Sequence, residues 1–338
     1  MKIGKLQRSH VAVAAATLSL AVGTYVGIAH GDEALSQSEG EGREHGRGPE
    51  RYTIALFGDM PYNALGKAQY PNLLADINAS NVAFSVFDGD MKAGGDGACS
   101  DDNLYTPSLN FFNTLERPLV WVPGDNDWTD CWGRYGAGTG GFDPLERLDH
   151  ERALFTSTDF SLGKRKLRLT RESREGGAYA IYRENVFWTF GPVVYLGLNV
   201  QGSNDNFPYA GVDGETRSDA EIARQRAEEV ARKAAALHWL DEGFAFAKKT
   251  RAKGIMIIWQ ADPNFNNEQH QADTRSWDAY PDYVNALRDQ SLAFPGQVAL
   301  VHGDSHYFKV DQPISGPKGA SSPTSFAWRR SARATPIG

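Results

Sequence analysis

Four aspartates in this chain each sit directly after a glycine and just past a short apolar run: Gly58-Asp59, Gly89-Asp90, Gly124-Asp125 and Gly303-Asp304. Glycine lets the backbone turn sharply, and the aspartate then offers a hard oxygen ligand beside the turn. Four carboxylates gathered on one rim repel each other strongly unless something neutralises them. One or two divalent cations are the economical neutraliser. Gln260 and Asp262 follow another apolar run, and Asp304 and His306 are two residues apart, so in an extended segment they point the same way. Lys92, two residues past Asp90, is placed either to neutralise the cluster or to contact a phosphate. Arg134 is a candidate phosphate clamp in the glycine-rich stretch from Gly133 to Gly141. That stretch lacks the Gly-Lys-Ser/Thr ending of a P-loop, which argues against nucleotide binding by that route. The plainer alternative is that Gly-Asp is simply good turn chemistry.

The elements that would position these residues read as alternating strand and helix. Apolar runs at Tyr52–Phe57, Val82–Phe87, Leu119–Val122, Val193–Leu198, Ile255–Trp259 and Val298–His302 are continuous rather than alternating. That is the pattern of strands buried on both faces. Helix-like stretches lie at Tyr70–Ser80, Ser108–Leu115, Pro144–Phe155 and Ser218–Lys249, the last opening with a Ser218/Glu221 capping-box spacing. The order implies a layered α/β fold, and several β-type runs between Lys164 and Leu198 predict a mixed sheet. In open α/β sheets, ligands bind beyond the carboxyl ends of the strands. All four Gly-Asp turns fall there.

The chain has 338 residues, of which 41% are apolar and 23% charged, enough for one large core. With 35 Lys and Arg against 42 Asp and Glu, the net charge is −7. An acidic body carries no electrostatic footprint for nucleic acid or anionic lipid. A small phosphorylated substrate would need local positive charge to attract it.

The ordered set Gly58-Asp59, Gly89-Asp90, Gly124-Asp125-Asn126-Asp127, Trp259-Gln260 and Gly303-Asp304-Ser305-His306 resembles the calcineurin-like metallophosphoesterase superfamily over about residues 52–312. The phrases Gly-Asp-Met-Pro-Tyr, Pro-Gly-Asp-Asn-Asp-Trp-Thr-Asp-Cys and His-Gly-Asp-Ser-His-Tyr-Phe are similar to a divergent exported microbial branch of it. The resemblance implies a four-layer β-sandwich flanked by helices, with mixed sheets, and hydrolysis of phosphate esters at a site of one or two metals. It implies metal ligands at Asp59, Asp90, Asp125, Gln260, Asp304 and His306. Catalytic roles are implied for Asn126, Asp127 and His306, with Asn126 also toward substrate, where Lys92 and Arg134 are candidates from their loop positions alone.

The departures are as informative as the match. Pro61 stands where the pattern has a ligand His, Asp125 where it has Asn, and Asn126 where it has the His that protonates the leaving group. Gln260 and Asp304 each replace a ligand His. Such an oxygen-rich set favours Mg²⁺, Mn²⁺ or Ca²⁺ over Zn²⁺ or Fe. General-acid help is typically worth about 10²–10⁴-fold, so the missing acid at Asn126 favours aryl phosphates with good leaving groups. His150 and His306 are candidate substitutes. The alternative function is a non-catalytic descendant that binds a cation and a phosphorylated or acidic ligand.

Lys2, Lys5 and Arg8 precede an apolar run from Val11 to Ala29, which reads as a signal peptide over residues 1–29. An uncleaved membrane anchor is the rival reading, and the only membrane contact expected. Residues 30–50 read as a flexible linker. Export makes the two cysteines, Cys99 and Cys131, a permissible disulfide, one that would tie the Asp90 loop to the Asp125 loop. Residues 313–338 are expected to form an irregular basic tail. Back-translated with permissible codons and shifted by two nucleotides, Pro323–Gly338 reads Asn-Phe-Leu-Arg-Val-Glu-Thr-Phe-Gly-Ala-Ser-Asn-Pro-Asn-Trp. That resembles a closing strand of the same branch, so a frameshift is the sharper expectation, and the gene's nucleotide sequence tests it.

Overall fold

The computed structural model describes residues 51–132, 141–207, 218–263, 265, 279–314 and 325–329. The signal segment, the linker and Arg134 lie outside the described residues. So does most of the tail.

Among the described residues, two sheets and five α-helices of seven residues or more make up a mixed α/β fold. The first sheet is parallel throughout, in the order β1 (Thr53–Phe57), β2 (Val82–Phe87), β3 (Leu119–Trp121). The second contains β4 (Thr170–Arg171), β5 (Val186–Phe190), β6 (Val193–Gly197), β7 (Gly254–Ile258), β8 (Gln297–His302), β9 (Lys309–Asp311) and β10 (Ser325–Arg329). Its order is β4-β5-β6-β7-β8-β10-β9. β6, β7, β8 and β10 run parallel, while β4, β5 and β9 pair antiparallel with their neighbours, so the sheet is mixed. The helices are α1 (Ala64–Ala79), α2 (Thr106–Phe112), α3 (Pro144–Phe155), α4 (Asp219–Thr250) and α5 (Pro281–Ala293).

The strand pleat distributes each strand's side chains between two faces. Met256 and Ile258 of β7 join Phe84, Val86, Val120 and Val122 of the first sheet in one buried cluster. Ile255 and Ile257 face the other way, into a cluster with Trp239, Leu240 and Phe244 of α4 and Leu287 of α5. A third cluster places Phe57 and Phe87 against Tyr70, Leu74 and Phe112 of α1 and α2 and Phe155 of α3. This two-sided burial is why the strands read as continuous apolar runs.

Three elements differ from the sequence expectation. α1 starts at Ala64, not Tyr70, and carries Pro71 inside it, with Asn63 capping the start by accepting from Gly66 N at 2.8 Å. Burial of Tyr70, Leu74 and Ile77 outweighs the backbone bond that the proline removes. α5 has no counterpart in the sequence reading. In the stretch expected to be an irregular tail, Ser325–Arg329 forms β10, paired parallel with β8 and antiparallel with β9. A segment this short gains strand structure from the ladders on its two sides rather than from its own pattern. α4, by contrast, has the expected start, with Glu221 N donating to Ser218 Oγ and Ser218 N to the Glu221 carboxylate.

Candidate metal centre

Every Gly-Asp turn of interest lies past the carboxyl end of a parallel strand: Asp59 after β1, Asp90 after β2, Asp125 after β3 and Asp304 after β8. The rims of the two sheets meet there. Asp304 N donates to the Asp59 carboxylate at 3.3 Å, and Gln260 Nε2, past the end of β7, donates to Asp125 Oδ1 at 3.0 Å. The sequence reading assigned the sharp turn to the glycines; Gly89 does have a positive φ (102°), but in three of the four turns the aspartate itself is left-handed: Asp59 (φ 52°), Asp90 (φ 66°) and Asp304 (φ 66°). Aspartate is among the residues that tolerate this region best. What glycine supplies at Gly124 and Gly303 is space. A Cβ there would lie 2.1 Å from Asp90 Oδ1 and 2.6 Å from Asp59 Oδ2 respectively.

Asp59, Asp90 and His306 converge. One ligand atom from each lies within 4.8 Å of the others, and His306 Nε2 is 3.3 Å from Asp59 Oδ1. Burial pushes the Asp90 carboxyl well above the usual carboxylate range, and Asp125, Asp59, Asp127 and Asp304 add to the push. Asp304 is raised in the same way, by burial and then by Asp125 and Asp59. Asn126 lies against this group, its Nδ2 donating to Asp90 Oδ2 at 2.7 Å and its backbone N to Asp90 Oδ1 at 3.2 Å. Tyr62, which the sequence reading did not single out, touches all of them: its hydroxyl is 3.0 Å from Asp59 Oδ1, 2.8 Å from Asp90 Oδ2 and 3.4 Å from His306 Nε2.

The remaining sequence-predicted residues sit around that core. Asp127 is fully buried and faces the Asp90 loop, accepting from Asp90 N at 2.9 Å, Met91 N at 2.7 Å and Gly124 N at 3.2 Å. Burial raises its carboxyl to about 7 against the pull of those donors. Lys92 is buried, with Nζ 3.3 Å from the carbonyls of Ala93 and Gly94. Burial lowers its ammonium, while Asp127, Asp130, Asp90 and Asp125 pull the other way. Gln260 uses both ends of its amide inside the protein, since Oε1 accepts from Gly202 N at 2.5 Å while Nε2 holds Asp125. His150 bonds Asp101 at 2.6 Å, not a rim carboxylate. His302 is buried, with Nδ1 3.2 Å from the Gly303 carbonyl. Cys99 and Cys131 form a buried disulfide with Cα atoms 5.7 Å apart, and Cys131 Sγ lies 3.2 Å from the Asp127 carbonyl.

Ser203, which with Asn199, Gly202 and Asn204 follows a strand and is expected from the sequence to line the rim, reaches it. Its hydroxyl lies 2.7 Å from Asp125 Oδ2 and 2.9 Å from Asp130 Oδ1. It belongs to a left-handed turn in which Ser203, Asn204, Asp205 and Asn206 all have positive φ (49°, 55°, 57° and 61°). Left-handed residues normally occur singly, so a run of four needs support from outside. Arg232 of α4 provides it, with Nη1 donating to Asp205 Oδ1 at 2.5 Å and Nη2 to the Asp205 carbonyl at 2.7 Å. Tyr283 donates to Asp205 Oδ2 at 2.9 Å.

The donor set of Asp59, Asp90 and His306 fits a hard divalent cation, being two carboxylates and one imidazole in reach of one point. No family model matches the sequence, and no curated protein matches it. Among solved structures, a dimetal phosphatase from Danio rerio is similar with a TM-score of 0.44 at 12% identity, over 83% of this chain and 87% of that chain. GAP50, the anchor in the inner membrane complex of Plasmodium, is similar with a TM-score of 0.39 at 14% identity, over 81% of this chain and 78% of that chain. Likeness at this level leaves the chemistry to be argued from the site itself. No described helix is long and apolar enough to cross a membrane.

Proposed function

We propose that this chain is an exported, metal-dependent phosphoester hydrolase built on a four-layer metallophosphoesterase-like sandwich. The observation that carries the reading is the convergence of Asp59, Asp90 and His306 where the strand ends of both sheets meet. A divalent cation there, with Mg²⁺, Mn²⁺ or Ca²⁺ preferred by the oxygen-rich donors, supplies Lewis acidity toward a phosphoryl group. Asp125 and Asp304 complete the rim and are the residues for a second ion, while Gln260, expected from the sequence as a ligand, has both ends of its amide engaged by Gly202 and Asp125. Asp127 fixes the Asp90 loop through three backbone N–H groups. Asn126 is held against Asp90 with its amide directed into the site; an amide orients a phosphoryl oxygen but has no acidic proton to give a leaving group. Substrates whose leaving group needs no proton, such as aryl phosphates, therefore suit the site best. Lys92, bonded to its own loop's carbonyls, moderates the acid cluster's charge. The Cys99–Cys131 disulfide supports an oxidising compartment.

A second reading, a non-catalytic binder of a cation and an acidic ligand, is favoured by Gln260, whose amide is turned to internal partners. Hydrolysis of p-nitrophenyl phosphate and of its bis-ester separates the two. The expected result is turnover with Mn²⁺ or Mg²⁺ that EDTA removes and Asp90→Asn lacks. Folded protein with no turnover in any metal favours the binder.

A further inference from the structure

We infer that the face opposite the rim, where the parallel strands begin, docks the protein on an anionic lipid bilayer. Strands that end at the rim start at the other end of the molecule, about 20 Å away for the six residues of β8. The segments leading into them are basic. Arg51 precedes β1, and Lys164 and Arg165 lie beside the entry to β3, their backbone N atoms donating to the Leu115 and Glu116 carbonyls at 2.9 and 3.2 Å, with Lys166 next in the chain. Lys248, Lys249, Arg251 and Lys253 stand where α4 hands over to β7. All eight are exposed. Residues 116–118, 191–192, 248–253 and 294–296, which enter β3, β6, β7 and β8, contain one acid, Glu116. Among the described residues, Lys164 pairs with Glu116 at 2.5 Å and Lys248 donates to Gln290 Oε1 at 3.0 Å, while the other six have no carboxylate partner.

The two basic groups belong to one face. Tyr52, next to Arg51, donates its hydroxyl to the Phe190 carbonyl at 2.8 Å and packs edge-on against the Phe190 ring with centroids 4.8 Å apart. Two residues on, the Pro192 carbonyl accepts from Lys253 N at 2.8 Å. Basic side chains suit a helix C-terminus, which accounts for Lys248 and Lys249 in the last turn of α4. It does not account for Arg51, Arg165, Lys166 or Lys253, which lie on no helix. The whole-chain charge of −7 concealed this footprint, because the acids of the rim gather at the opposite ends of the same strands. A bilayer fits the face better than a compact anion, since the charges are spread over the starts of two sheets. The chain also points there: the apolar run Val11–Ala29 leads through residues 30–50 to Arg51, so a chain brought to a membrane by that run meets it with this face first. Each Lys or Arg close to an anionic surface strengthens binding about fivefold. Docked in this way, the rim stands away from the lipid and opens to solutes in water.

The test is co-sedimentation of the full chain with vesicles of phosphatidylcholine alone and with about 30% phosphatidylglycerol, at low salt, where wild type should prefer the anionic vesicles about 100-fold. The ratio is the readout, because an apolar segment retained on the chain adds equally to both. Two double variants probe the two halves of the face: Arg165→Gln with Lys166→Gln, and Lys249→Gln with Lys253→Gln. Each should lower the ratio about 25-fold, with melting unchanged since all four side chains are exposed and unpaired. The preference should vanish in about 0.5 M salt. Equal binding to both vesicles, or a preference that survives the salt, overturns the inference. A loss in one double variant only overturns the single face spanning both sheets. Wild type that ignores anionic vesicles yet is retained on heparin also overturns it, in favour of a soluble polyanion. None of these outcomes depends on whether the rim hydrolyses an ester.

Discussion

Asp205 and Asp90 are both buried aspartates, and the protein serves them in opposite ways. Behind the rim, Asp205 meets Arg232 and Tyr283, and Glu184 is gripped by Arg152 through two bonds of 2.9 and 2.7 Å. Against the effect of burial, Arg152 holds the Glu184 carboxyl below its ordinary value. At the rim, Asp59, Asp90, Asp125 and Asp304 stand together; burial, and then the neighbouring carboxylates, raise Asp90 and Asp304, while Lys92 opposes burial at Asp127. Burying charge is costly unless it is paired. The fold pairs Asp205 and Glu184 with arginines from within, whereas the proposed ion would neutralise the rim acids from outside. A rim so arranged is costly to the fold's own stability.

The sharpest way to break this contrast is to remove the internal partner. Arg232→Met leaves Asp205 buried without its cation, and should cost about 3–5 kcal/mol in urea unfolding; a loss below 1 kcal/mol would put the two regions on the same footing. Opening the Cys99–Cys131 link, by paired Cys→Ser substitutions, should cost about 2–4 kcal/mol in the same assay. Gly124→Ala drives a methyl group into Asp90 Oδ1 and should lower metal-dependent turnover about 100-fold, with Mn²⁺ affinity falling alongside. Asp304→Asn should act in the reverse sense to Arg232→Met. By relieving like-charge repulsion it should stabilise the protein in EDTA by about 1 kcal/mol, read from urea unfolding.

A further contrast concerns pH. Burial, opposed by the Asn185 hydrogen bond and helped by Glu184 and Glu175, raises Glu172 to about 8. Its carboxyl then keeps its proton in the native state over a range where the unfolded chain has lost it. Stability should fall as pH rises from about 4.5 to about 8, by at most about 1.4 kcal/mol per unit. Glu172→Gln should flatten that part of the stability–pH curve, and an unchanged curve would remove Glu172 as its source.

Much of the rim was legible because its signal is local. A glycine, an acid and a preceding buried strand lie within a few residues of one another, and parallel strands bring their ends together. Tyr62 carried no such signal. It is one of 13 tyrosines, and its contacts depend on residues 28 and 244 positions away. Ser203 was legible as a rim residue from its place after a strand, but its left-handed turn was not, since a left-handed run without glycine depends on Arg232 and Tyr283 holding it. Gln260 was legible as a rim residue, but not that its amide would turn to Gly202 and Asp125. The start of α1 was obscured by Pro71, whose cost is met by buried side chains that propensity does not register, and β10 by its dependence on two neighbouring ladders.

The measurement that tests the contrast most directly is thermal unfolding of wild type in Mn²⁺ and in EDTA, beside Asp90→Asn. A cation at 100 times its dissociation constant adds about 2.7 kcal/mol of stability. Wild type should therefore melt several degrees higher in Mn²⁺ than in EDTA, and Asp90→Asn should show no such rise. Identical melting of wild type in Mn²⁺ and EDTA, or an equal rise in Asp90→Asn, would contradict the view that the rim acids await an external ion.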